Sequence, residues 1–163
     1  MLKHVYIFSD SHGYLKLMQQ ALDRAEQVDA IVFLGDMNRD IERIREQYPL
    51  PLYYIVEGNN DYQNRYNLVY DFYMENVHIF MCHGHTLRVK HSLDLLFARA
   101  HLMECQIALY GHTHIPAYLE HRGVTLVNPG SCTSPYGTYV HMTIDGEDFH
   151  IEHCKGDGTV VVL

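Results

Sequence analysis

Short apolar runs, each stopping at a glycine or a small polar group, punctuate this chain, and the stretches between them dictate the sheet it can form. Residues 3–8 are apolar, β-branched and aromatic, the pattern of a buried strand. From Leu15, the apolar residues Leu15, Met18, Leu22 and Ala25 recur at helical spacing, so one stripe faces a core. Residues 30–34 form a second apolar run, closed by Gly35. Ile41, Ile44 and Tyr48 mark a second helix, stopped before Pro49 and Pro51. Residues 52–56 form a third run, closed by Gly58. Strand, helix, strand, helix, strand predicts a parallel sheet with right-handed crossovers.

The second half reads differently. Residues 77–82 are another strand, and Ser92 can cap a helix carrying Leu93, Leu96, Phe97 and Ala100. Residues 107–110 form a further strand, closed by Gly111. Residues 125–127, 139–144, 149–152 and 159–162 alternate or run apolar between Gly and Asp turns, which predicts antiparallel strands. No repeat, low-complexity segment or linker divides the sequence. The expectation is one domain over residues 1–163, long enough to bury a core.

Composition excludes some partners. No apolar run approaches the roughly 20 residues that span a bilayer, so no membrane partner is expected. The N-terminus enters a strand without a signal-peptide cleavage site, which predicts a cytoplasmic protein. Cys82, Cys105, Cys132 and Cys154 form no C-x-x-C pair and read as free thiols acting as small core hydrophobes. A net charge of −8 without a basic cluster argues against long nucleic acid. A small anionic substrate stays open, because bound cations reverse the field locally.

Residues with metal-ligand chemistry fall just after successive strands. Asp10 and His12 follow the first, Asp36 the second and Asn59 the third; His83 follows residues 77–82, and His112 and His114 follow residues 107–110. Loops at the carboxyl ends of parallel strands are where α/β sheets build sites. Carboxylate, imidazole and one amide, with no clustered thiolates, suit a borderline divalent metal better than a structural zinc site or calcium. Seven candidates are too many for one tetrahedral ion and match two ions sharing a carboxylate.

Asp10-Ser11-His12, Gly35-Asp36, Gly58-Asn59-Asn60-Asp61, His83-Gly84-His85 and Gly111-His112-Thr113-His114 resemble the five motifs of calcineurin-like metallophosphoesterases, most closely their small single-domain bacterial and archaeal phosphodiesterase branch. Asn128-Pro129-Gly130-Ser131 resembles that branch too. The resemblance implies an α/β fold with two mixed β-sheets packed as a sandwich flanked by α-helices, in four αββα layers. It implies that Asp10, His12 and His114 hold one ion, that Asn59, His83 and His112 hold the other, and that Asp36 bridges them. Mn²⁺ is the first expectation for both, with Zn²⁺, Fe²⁺ and Ni²⁺ chemically admissible. It also implies a homo-oligomer, dimer or tetramer.

The activity this implies is hydrolysis of a small phosphodiester by in-line attack of a metal-bridging hydroxide. Phosphomonoester hydrolysis is the near alternative. A non-catalytic protein-binding scaffold, as in the retromer subunit of this fold, is the distant one, and the intact ligand set speaks against it. Many family members carry histidine after the asparagine ligand; here Asn60 stands there and cannot act as a general acid near pH 7. Activated diesters are therefore expected to be preferred over alkyl phosphates. His85 is the natural substitute acid, or else a partner that supports the ligands from behind, which makes Asn60 and His85 the candidate catalytic side chains.

Other residues have quieter readings. Asp61 is expected to cap a turn or orient Asn59. Asn38 and Arg39 read as a solvated helix start, with contact to substrate phosphate as the alternative. Tyr53, Tyr54, Tyr62, Tyr66, Tyr70 and Tyr73 read as packing, with a stacking wall for a nucleobase or a subunit interface as the alternative.

Overall fold

The computed structural model describes residues 1–133 and 136–163. The first half contains β1 (Lys3–Phe8), α1 (Lys16–Arg24), β2 (Ala30–Phe33), α2 (Asn38–Gln47), β3 (Leu52–Ile55), β4 (Val69–Met74) and β5 (Val77–Cys82). After a short 3-10 turn (His85–Leu87) come α3 (Asp94–Leu102), β6 (Ile107–Leu109), β7 (Ala117–His121), β8 (Val124–Asn128), β9 (Thr138–Asp145), β10 (Asp148–Lys155) and β11 (Val160–Val161). One sheet runs β11-β10-β9-β1-β2-β3 and the other β4-β5-β6-β8-β7. Both are mixed, with parallel triplets β1-β2-β3 and β5-β6-β8 flanked by antiparallel strands.

Alternation along the strands builds the layers. Val5 and Ile7 of β1 face the inter-sheet core, together with Val32, Ile79, Leu109 and Val140. Tyr6 and Phe8 point the other way, onto Leu17, Met18, Ile41 and Ile44 of α1 and α2. On the far sheet, Phe80 and Ala108 meet Leu96 and Ala100 of α3. The architecture is the expected αββα sandwich. Helices of nine or ten residues are marginal alone; burial of side chains such as Ile41 and Ile44, each worth about 1.5–3 kcal/mol, holds them.

Three features depart from the sequence reading. β4 was not expected as a strand, because its apolar face (Phe72, Met74) is interrupted by exposed residues suited to a sheet edge. β7 is almost wholly exposed, and its short Ala117-Tyr118-Leu119 stretch shows no alternation to mark a strand. Antiparallel pairing holds for β9, β10 and β11, but β8 runs parallel to β6 and antiparallel only to β7. Its run is apolar throughout, and apolarity does not encode direction. All four cysteines are free and buried, and Ser92 Oγ accepts from the Asp94 amide at the start of α3. No helix among the described residues is long and apolar enough to cross a membrane.

Candidate metal centre

Both parallel triplets open toward the same end, and the loops leaving them are tied to one another. The Asp10 amide donates to the Gly35 carbonyl, the Gly111 amide to the His83 carbonyl, and the Cys132 amide to the Ser9 carbonyl. Gly58 lies so close to Asp36 that a Cβ there would collide with the Asp36 carboxylate and amide. A Cβ on Gly111 would likewise meet Ser9 Oγ and Asp10 Oδ2. Close backbone approach is thus why glycine precedes the polar residues at these two turns.

Backbone conformation is unusual at many of the same residues, as it is at six other non-glycine positions among the described residues. Asp10, His12, Asp36, His112 and His114 all have positive φ, between 44° and 67°. This region disfavours L-residues, and such strain concentrates where surrounding structure enforces it for function. Five of the seven expected ligands share it, which concentrates this conformation in the loops that meet at the site.

The side chains converge. Asp10 Oδ1 lies 3.1 Å from His114 Nε2 and 3.8 Å from both His12 Nε2 and His83 Nε2. Asp36 directs one oxygen each way, Oδ2 at 3.6 Å from His12 Nε2 and Oδ1 at 3.5 Å from His83 Nε2. His83 Nε2 and His112 Nδ1 are 3.2 Å apart. Two groups could each hold an ion: Asp10, His12 and His114, and Asp10, Asp36 and His83. Asn59 is exposed and makes no side-chain hydrogen bond among the described residues, but its neighbours Gly58 and Asn60 both touch Asp36.

The donor chemistry fits a cation. Asp10 is fully buried, yet its Oδ1 has no hydrogen-bond donor. Leaving a charged oxygen in that state is expensive unless a positive charge faces it. His83, also fully buried, donates from Nδ1 to the Leu34 carbonyl at 2.7 Å. That bond fixes the tautomer and turns the Nε2 lone pair into the site. Burial first, then the neighbouring His83, holds His112 down to about 4, so its imidazole is neutral and ligand-ready at pH 7. Burial acts to raise the Asp36 carboxyl, but His83, two hydrogen bonds from Asn60 and His12 together outweigh it and hold it below its ordinary value.

Asn60 donates its amide to Asp36 Oδ2 at 2.8 Å and its backbone N–H to Oδ1 at 3.0 Å. His85, in the 3-10 turn, lies with its ring 5.5 Å from that of His83; its Nδ1 is buried without a partner. Burial first, then His83, lowers its pKa. Asp61 accepts from the backbone amides of Asp36, Met37, Asn38 and Gly58 at 2.8–2.9 Å. The capping role read from sequence is thus wider than a turn: one carboxylate staples the β3 loop to the start of α2.

Two supporting side chains, Ser9 and Asp40, escaped the sequence reading, while Asn128 and Ser131 lie in a stretch that reads as a turn or a site-lining loop. Ser9 Oγ donates to Asp10 Oδ2. Asp40, inside α2, accepts from Ser11 Oγ at 2.7 Å and from the Gly13 amide at 2.6 Å. Asn128 Nδ2 donates to the Gly111 carbonyl, and Ser131 Oγ to the Asp10 carbonyl. Asp40 and Ser11 are 29 residues apart, so no local spacing announces their pairing. Asn128 and Ser131 belong to the motif already noted, and they support the site from beneath.

Comparison with known proteins agrees with this geometry. The family model of the calcineurin-like phosphoesterase superfamily domain matches residues 4–147. The chain belongs to that superfamily. Among relatives of this metallophosphoesterase family, a probable metallophosphoesterase of Bacillus subtilis is 30% identical over 134 residues, 81% of this chain and 76% of the relative. A phosphodiesterase of Methanocaldococcus jannaschii is 27% identical over 143 residues, 77% of this chain and 82% of its own length. A solved predicted phosphoesterase of Streptococcus pneumoniae superimposes with a TM-score of 0.80 at 26% identity, covering 99% of this chain and 94% of that one. Zinc-bound Vps29 of Entamoeba histolytica superimposes with a TM-score of 0.79 at 21% identity, covering 99% and 96%; at that identity the likeness is one of fold.

Proposed function

We propose that this chain is a dinuclear-metal phosphodiesterase acting on small phosphodiesters. The observation that carries the reading is the buried, hydrogen-bond-free Oδ1 of Asp10, faced by three imidazole nitrogens. Asp10, His12 and His114 would hold one ion and Asn59, His83 and His112 the other. Asp36 would be the ligand common to both, a role supported by its two oxygens, one facing His12 and the other His83. The nitrogen and oxygen donor set suits Mn²⁺. When bound, the ions supply an activated water and draw charge from the phosphoryl oxygens.

The protein's own residues do the rest. His83, locked by the Leu34 carbonyl, keeps its lone pair on the site without reorganising. Asn60 acts as a positioning residue, holding Asp36 through two hydrogen bonds. His85 stands outside the ligand sets with its ring beside that of His83; its lowered pKa keeps the imidazole neutral, so it is assigned a hydrogen bond from its ring N–H to the leaving oxygen. Support for diesters over monoesters comes from the phosphodiesterase relative and from the absence of an acid at position 60, which handicaps poor leaving groups.

The test is elemental analysis coupled to turnover of bis- and mono-p-nitrophenyl phosphate with added Mn²⁺. About two metals per chain, faster diester turnover, and loss of both on Asp36→Asn are expected. Faster monoester turnover would replace the reading with a phosphomonoesterase, and metal-free, inactive protein would favour a scaffold.

A further inference from the structure

One polar ring ties the two sheets together. On β10, Phe149 and Ile151 pack against the inter-sheet core, and His153 lies two residues on, so alternation places it on the same face. It is buried, and its Nε2 donates at 2.7 Å to the carbonyl of Asn128, the last residue of β8 in the other sheet. We infer that His153 is a positioning residue for the metal centre: from one sheet it fixes Asn128 in the other, and through Asn128 the loop that carries His112 and His114. The inference rests on the metal-centre reading above and adds a control on its geometry.

The Asn128 side chain shows why that point matters. Its Nδ2 has two hydrogens and donates to the Gly111 carbonyl and to Thr113 Oγ1, each at 3.0 Å. Its Oδ1 accepts from the Gly130 amide at 2.9 Å. Gly111 precedes His112, and Thr113 separates His112 from His114. Thr113 Oγ1 also accepts from the Ile115 amide, just past His114. One side-chain amide therefore brackets two expected ligands, which belong to different ions in the reading above. Both histidines sit at positive φ, 67° and 63°, a conformation that persists only where neighbours enforce it. A shift of Asn128 would reach the two imidazoles together.

Histidine is a costly residue at this place. Burying a polar ring disfavours the fold unless its hydrogen bonds are met, and a third apolar residue after Phe149 and Ile151 would pack without that cost. What the ring offers instead is direction. Burial holds its pKa below the ordinary value, so the imidazole is neutral at pH 7 and carries one ring proton. A carbonyl oxygen only accepts, so that proton sits on Nε2 and points at Asn128. Thr138 Oγ1 donates to the next carbonyl of the turn, that of Pro129, at 2.7 Å, and Ser131 Oγ donates to the Asp10 carbonyl. The turn is thereby registered against the loop after β1, against β9 and against β10, and His153 sets its first residue.

The experiment reads the Mn²⁺ affinity of folded protein rather than turnover. His153→Leu keeps a side chain of similar size and removes the bond. Its Mn²⁺ affinity should fall about tenfold in both binding steps, the lower end of the ~10–100-fold that loss of an outer partner costs. His153→Gln, whose amide can donate to the same carbonyl, should recover most of that loss. Asn128→Ala should cost about 10–100-fold, and adding His153→Leu to it should cost nothing more, because His153 acts only through Asn128. His153→Met takes the place of His153→Leu if the latter does not fold. A merely structural His153 would lower the urea midpoint of the leucine variant and leave the Mn²⁺ affinity of the folded protein unchanged. That result, a glutamine variant as weak as the leucine one, or additive losses in the double variant would each overturn the inference. Mn²⁺ binding that follows His153 in a protein that hydrolyses no diester would instead sink the phosphodiesterase reading and leave the positioning role standing.

Discussion

Replacing Asp61 with alanine should damage the fold and the metal centre together. The Asp61 carboxylate accepts four backbone N–H bonds at 2.8–2.9 Å, from Asp36, Met37, Asn38 and Gly58. The Met37 and Asn38 amides begin α2, so part of the loss is that of an N-cap, about 1–2 kcal/mol. A negative charge at a helix start contributes a further ~0.3–1 kcal/mol. The Asp36 and Gly58 amides lie outside the helix, and each orphaned amide costs about 1 kcal/mol or more. The total is about 3–5 kcal/mol, a large share of the ~5–15 kcal/mol that separates folded from unfolded domains. These bonds also hold Asp36 and Met37 at φ of 64° and 78°, so the loop should relax and metal affinity should fall. Urea unfolding of the metal-free protein reads the first effect, and Mn²⁺ titration of folded protein reads the second. Asp61→Asn, which keeps one acceptor oxygen, should lose about half as much stability. An alanine variant within 0.5 kcal/mol of the parent, with Mn²⁺ affinity intact, would refute the staple; that threshold is the usual scatter of inert surface changes, about ±0.5 kcal/mol.

Gly111→Ala would push a Cβ into Ser9 and Asp10; Mn²⁺ affinity should fall at least tenfold while circular dichroism stays that of a folded protein. His85→Ala with full metal content should slow turnover of diesters with poor leaving groups more than that of activated ones, and equal rates would remove His85 from the reaction. Asn60→His should flatten the dependence of rate on leaving-group pKa, measured across a series of substituted aryl diesters. Burial holds His141 and His153 below their ordinary value. The unfolded chain therefore takes up protons near pH 6.5, where the folded chain does not, and stability falls as pH drops below that point. The urea midpoint should be lower at pH 5 than at pH 7, with a smaller difference after both histidines are replaced by glutamine.

The sequence was readable wherever the signal was local. The alternation of Val5 and Ile7 against Tyr6 and Phe8, and the stripes on α1 and α2, each declare a buried face within one element. The candidate ligands were equally legible, because each closes a strand and sits beside a glycine in a recurring motif. β4 and β7 were not, since edge strands need few apolar residues and their partners are supplied from elsewhere. The direction of β8 was lost because parallel and antiparallel neighbours bury the same side chains.

By itself, then, the sequence determined which residues can ligate, which elements carry them and which superfamily the chain joins. Only the tertiary structure decided how they act as a set. Asp10 Oδ1 is left without a donor because two sheets close over it, and Leu34 from one sheet fixes the ring of His83 from the other. Asp61 and Asp40 became anchors for loops 25 and 29 residues away. Burial and hydrogen-bond partnership are properties of residues distant in the chain, so spacing along it cannot record them.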